Sequence, residues 1–234
     1  MSIHIQNVSG QNLTLVYDTL DLRAIDVNNL RDLSDVQAQQ VIIMPQKITA
    51  TYQSEPLVIQ MDSKRIRVGL FQSSAFEDLL QMPRGAEVPE KRKVAHQDIG
   101  TVPLWRTALT CHQLVPSATL MAYGFNYSVE AILETNNAVE AFTSLVHVNQ
   151  ERVMRAFDGD LVSFAATPRL AFQRDQTVYD LVLMPAEEQH IRVTFNVHFE
   201  YEGVVLPAEK ELEQSYHDEF KTCTTLLSRL FDEN

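Results

Sequence analysis

Residues 190–201 read His-Ile-Arg-Val-Thr-Phe-Asn-Val-His-Phe-Glu-Tyr. Ile191, Val193, Phe195, Val197, Phe199 and Tyr201 alternate with His190, Arg192, Thr194, Asn196, His198 and Glu200. Successive side chains of a strand point to opposite faces, so this is one long strand with an apolar and a polar face. Past Gly203 and Pro207 the period changes. Leu212, Tyr216, Phe220, Cys223, Leu227 and Leu230 recur at steps of three and four, the spacing of one apolar stripe on a helix. Only apolar faces meet stably, so the helix is expected to fold back over the sheet, with Phe220 near Phe195.

Working outward, residues 119–133 alternate in the same way. Tyr123, Phe125, Tyr127 and Val129 oppose Gly124, Asn126, Ser128 and Glu130. Residues 137–146 carry a helical pattern that opens on a capping box, Asn137 with Glu140. Strands are predicted at 153–157, 160–166, 169–173 and 177–184. Nearer the start, residues 2–8 and 12–17 read as a hairpin turning at Ser9-Gly10. A short helix falls within 20–36, and four strands follow at 40–44, 47–53, 56–62 and 65–71. A short helix at 75–82 stops at Pro83, and another spans 104–115, before Pro116.

The class is therefore α+β: a predominantly antiparallel β-sheet with a long C-terminal amphipathic helix packed on it. From residue 118 the element order is that of a helix grip, an analogy of order alone. The chain divides into an N-terminal β-meander region (1–82), a basic linker or loop containing Pro and Gly (83–103), and a strand–helix–sheet–helix region (104–234). The two outer regions are free to share one sheet. The middle segment, with no apolar period, is expected to be mobile and open to proteases at 84–102.

The chain has 234 residues, 45% of them hydrophobic, which is ample for a core. A formal net charge of -12 argues against non-specific binding to nucleic acid or an anionic membrane. No apolar run reaches the roughly 20 residues that span a bilayer. Residues 1–7 lack the pattern of a signal peptide, and two cysteines suggest reduced thiols, so a cytoplasmic location is expected.

The seven glycines lie apart, so no phosphate-binding loop is present. Neither a Gly-x-Ser-x-Gly elbow nor a His-Glu-x-x-His helix occurs. Three groups remain as candidates. His198 and Glu200, two apart on one strand face, have the spacing and chemistry of zinc or iron ligands, although alternation alone produces such pairs. His217 on the last helix is turned away from them by the helix's own stripe. Asn126, Ser128 and Glu130 form a second polar row. Lys64, Arg65, Arg67, Arg84, Lys91, Arg92 and Lys93 place seven of the 19 basic residues within residues 64–93. On an acidic chain such a cluster suits a phosphorylated ligand, an acidic partner or the acidic C-terminal helix of another copy.

These residues point to a non-catalytic binding protein acting through protein–protein contacts, with a protein partner or a second copy of itself. No cofactor, metal or membrane is expected. Two other classes stay open: a carrier of a small or lipid-like molecule in a cavity under the C-terminal helix, and a metal-dependent enzyme using His198 and Glu200.

Overall fold

The computed structural model describes residues 3–33, 36–52, 57–70, 94–95, 98–134, 167–186 and 189–231. Eleven strands lie among them: β1 (Ile3–Tyr17), β2 (Asp32–Leu33), β3 (Val36–Met44), β4 (Lys47–Tyr52), β5 (Leu57–Asp62), β6 (Arg65–Leu70), β7 (Val94–Ala95), β8 (Leu120–Leu133), β9 (Arg169–Arg174), β10 (Thr177–Pro185) and β11 (His190–Phe199). They form one sheet in the order β2-β3-β4-β5-β6-β1-β8-β11-β10-β9, and every pairing is antiparallel. β7 pairs with β1 off this path, at Asn7 and Val8. Strands from both halves of the sequence thus belong to one sheet. Three helices accompany it: α1 (Val27–Arg31), α2 (Leu104–Gln113) and α3 (Glu209–Phe231).

The expected hairpin at Ser9-Gly10 is instead the middle of β1. The pairing of β1 with β8 slips between Ile5 and Asn7 and again between Val8 and Gly10. Each slip inserts one extra residue, a bulge, so a change of apolar parity is absorbed without reversing the chain. β1 is then long enough to join β6 to β8, and it is the seam of the sheet.

One face of the sheet is buried by α2 and α3. In β11, Ile191, Val193, Phe195 and Val197 are buried, and in β8 so are Tyr123, Phe125, Tyr127, Val129, Ala131 and Leu133. Against them α3 buries Leu212, Tyr216, Phe220, Cys223, Leu227 and Phe231. Leu230, placed on the stripe by sequence, is half-buried beside Phe231. Phe220 packs over Tyr127, ring centroids 5.2 Å apart, and Tyr127 is the cross-strand neighbour of Phe195. Gly203, at φ +72°, makes the turn that sends the chain from β11 toward α3, a conformation that costs glycine little. Glu209 and Glu211 in the first turn of α3 and Arg229 in the last suit the helix dipole.

Polar groups in this core are paired. Tyr216 Oη donates to Gln11 Oε1 at 2.7 Å, and Tyr127 Oη donates to the Tyr216 carbonyl at 2.6 Å. Tyr179 Oη donates to Glu219 Oε2 at 2.8 Å. His217 stacks edge-on against Trp105 of α2, with centroids 5.5 Å apart, away from the polar face as its helical position requires.

Candidate interaction face

The opposite face of the central strands is polar and half-buried. Register aligns its residues into rows across the strands. One row runs Gly69, Asn12, Asn126, Asn196, Asp180. The next runs Gln60, Arg67, Thr14, Gly124, His198. A third runs Gly10, Ser128, Thr194, and a fourth Asn7, Glu130, Arg192. Asn126, Ser128 and Glu130, which the sequence offers separately from His198, are therefore on one surface with it, while Glu200 lies just past the end of β11. Lys91, Arg92 and Lys93, the helices at 75–82 and 137–146 and the strands at 153–166 lie outside the described residues. So does most of 84–102, although its Val94–Ala95 end is held to β1 as β7.

The middle of the face is organised by side-chain hydrogen bonds. Asn126 Nδ2 donates to Asn12 Oδ1 at 2.7 Å and reaches Thr14 Oγ1 at 3.4 Å. Thr14 Oγ1 donates to the same Asn12 oxygen at 3.1 Å. Arg169 grips Asp180 with both arms of its guanidinium, at 2.9 and 2.7 Å. That contact holds the Asp180 carboxyl below the usual carboxylate range, and a hydrogen bond from Asn196 adds to the effect. A Cβ on Gly124 would come within 2.5 Å of the Val197 carbonyl and 3.1 Å of His198 Nδ1, so the missing side chain admits both β11 and the imidazole. Burial lowers the pKa of His198, while the nearby carboxylates of Asp180 and Glu200 pull the other way. Asn7 Oδ1 is buried without a hydrogen-bond partner.

Toward β4 the face becomes cationic. Lys47, Asp62 and Arg65 share one row, with Arg67 diagonally adjacent. Asp62, the carboxylate of this row, is occupied in the turn, where its Oδ1 accepts from the backbone N–H of Lys64 and of Arg65 at 2.8 and 2.9 Å. Lys47 is half-buried, and its pKa is lowered first by that burial and then by the Arg67 charge, while the Asp62 carboxylate pulls it the other way. Lys64, Arg65 and Arg67 are exposed.

Sequence reasoning isolates Lys64, Arg65, Arg67 and Asn126 but misses Lys47, Asn12, Thr14, Asn196, Asp180 and Arg169. Asn196 stands in the quoted stretch on the same parity as His198. The others become neighbours only through register. Among the described residues no group of three or more His, Cys, Asp or Glu side chains converges as a metal site would require. No helix among them is long and apolar enough to cross a membrane. A crevice lined by Phe172, Tyr179, Phe195, Cys223 and Leu226 has room for about one water.

No protein-family model matches the chain, and no curated protein matches its sequence.

Proposed function

We propose that the protein is a non-catalytic binding protein that docks an acidic polypeptide segment on the cationic corner formed by Lys47, Lys64, Arg65 and Arg67. The observation that carries this reading is a cluster of four cations whose nearby carboxylate, Asp62, is tied into a turn, on a chain of net charge -12. Like charges held together repel, and an anion arriving there relieves the repulsion. The acidity of the rest of the chain disfavours nucleic acid, whose charge is repelled over a long range, whereas a short acidic peptide meets the corner alone.

The test is calorimetric titration with a blocked decaglutamate peptide at low salt. Each of Lys47→Gln and Arg67→Gln should weaken binding about two- to fivefold, the value of one exposed ion pair. Raising the salt should weaken the wild-type complex in the same direction. Unchanged affinity in the double variant would refute the reading. Tighter binding of a DNA duplex of equal charge would refute it too, in favour of a general polyanion site.

A further inference from the structure

The row Asn12, Asn126, Asn196 crosses three adjacent strands in the interior of the sheet. Asparagine is depleted in strands, where β-branched and aromatic residues fit the pleated surface better. Three in one row run against the local preference of the backbone, and such conflicts collect at functional sites.

The hydrogen bonds fix what the row presents. Asn12 Oδ1 accepts from Asn126 Nδ2 and from Thr14 Oγ1, which fills both of its lone pairs. Asn126 is thereby held with its NH2 toward Asn12, and among the described residues no donor reaches its Oδ1 and no acceptor reaches Asn12 Nδ2. On adjacent strands the two carboxamides therefore present one N–H donor group and one C=O acceptor that no other described residue engages. Gly69 clears the space beside Asn12, where a Cβ would stand 2.9 Å from the Asn12 Cβ. The Asp180 carboxylate at the far end of the row is occupied by Arg169 and Asn196.

We infer that Asn12 and Asn126 form a subsite for a neutral amide: the peptide group of an extended chain or a side-chain carboxamide. The ligand's C=O accepts from Asn12 Nδ2, and its N–H donates to Asn126 Oδ1. A carboxylate or phosphate brings only acceptors and sets a lone pair against Asn126 Oδ1. An ammonium brings only donors and meets the Asn12 N–H groups. A hydroxyl can serve either atom, which makes a polyol the competitor to test. The cationic corner recognises charge, whereas this subsite recognises a donor–acceptor pair and does not depend on it.

The experiment follows the side-chain NH2 resonances of 15N-labelled protein, with that of Asn12 assigned by its loss in Asn12→Asp. A blocked Gly-Ser hexapeptide should shift the Asn12 and Asn126 signals saturably at millimolar concentration. A linear glucose hexasaccharide and inorganic phosphate should leave them in place. Asn12→Asp keeps both internal hydrogen bonds but replaces the free donor with an acceptor, and peptide affinity should fall at least about tenfold. Thr14→Val, which releases the orientation of Asn12, should weaken binding as well and serves if the first variant loses its dispersed amide spectrum. The double variant Lys47→Gln/Arg67→Gln should bind the hexapeptide as wild type does. The inference is overturned if the hexapeptide moves neither signal, if the hexasaccharide binds as well, or if the corner variant abolishes peptide binding.

Discussion

Tyr216 and Gln11 are nearly sealed from solvent, at 0% and 3% exposure, and share a 2.7 Å hydrogen bond between elements 205 residues apart in sequence. Tyr216→Phe removes the hydroxyl with almost no change of shape. It leaves Gln11 Oε1 buried without this donor, and the penalty for an unsatisfied buried group is about 1–3 kcal/mol. Gln11→Met, close in volume, strands the Tyr216 hydroxyl and should cost a similar amount. The double variant leaves neither partner stranded, and replacing both members of a buried pair is close to neutral. The two single costs should therefore not add, with a coupling within about 0.5–3 kcal/mol. Urea denaturation with constant m-values measures all four corners of the cycle. Additive costs, or a Tyr216→Phe change within about 0.5 kcal/mol of wild type, would refute the claim that this bond fastens α3 to β1.

The remaining predictions concern titration and thiol chemistry. Burial holds the folded-state pKa of His198 below its ordinary 6.5, so the unfolded chain takes up the proton first. The stability tied to neutral His198 is complete above that value and declines as pH falls through it toward the folded pKa. Urea midpoints at pH 7.5 and 5.5 should therefore drop less in His198→Gln than in wild type, with half-buried His112 contributing equally to both, and identical drops would contradict this. Burial pushes the Cys111 thiol up to about 12 and raises Cys223 further, so neither should react with a thiol reagent at pH 8 until the protein unfolds. Rapid labelling of the native protein would show that α2 or α3 opens locally.

Where one period ran unbroken, the fold was legible. The alternation of β11 and the stripe of α3 each place their apolar residues against the other, because burial follows parity in a strand and a 3.6-residue period in a helix. β1 was misread for a definite reason. Its core-packed residues step from half-buried Ile5 to Val8 to Gln11, each an odd interval, and a slipped parity beside Ser9-Gly10 has the same local signature as a turn. Deciding between bulge and turn needs the partner strand, here β8, which runs past both slips and which local sequence does not reveal. The candidate face was half legible for the same reason. Asn126 and His198 could be assigned to polar faces of their own strands, but only register shows that His198 lies across from Gly124. Lys47 joins Arg67 across β5, and no spacing along the chain encodes that distance.

The two faces of the sheet use polar groups in opposite ways. Beneath the helices, Tyr127, Tyr179 and Tyr216 each direct a hydroxyl to an acceptor inside the protein, since an unpaired group there has no water to fall back on. On the other face, Asn12, Thr14 and Asn126 bond to one another, and no other described residue engages the remaining amide donor and acceptor. A sheet face needed only for solubility would be expected to carry Thr, Lys and Glu, which tolerate water at little cost to the strand. Instead the centre of this sheet carries carboxamides in mutual contact, a seated imidazole and two glycines that thin its surface, while the cations gather to one side. The internal bonds restrict the carboxamide rotamers before any ligand arrives, and that reduces the entropy a ligand would otherwise have to overcome. Loosening the row should therefore weaken binding without greatly changing stability, whereas loosening Tyr216 should do the reverse.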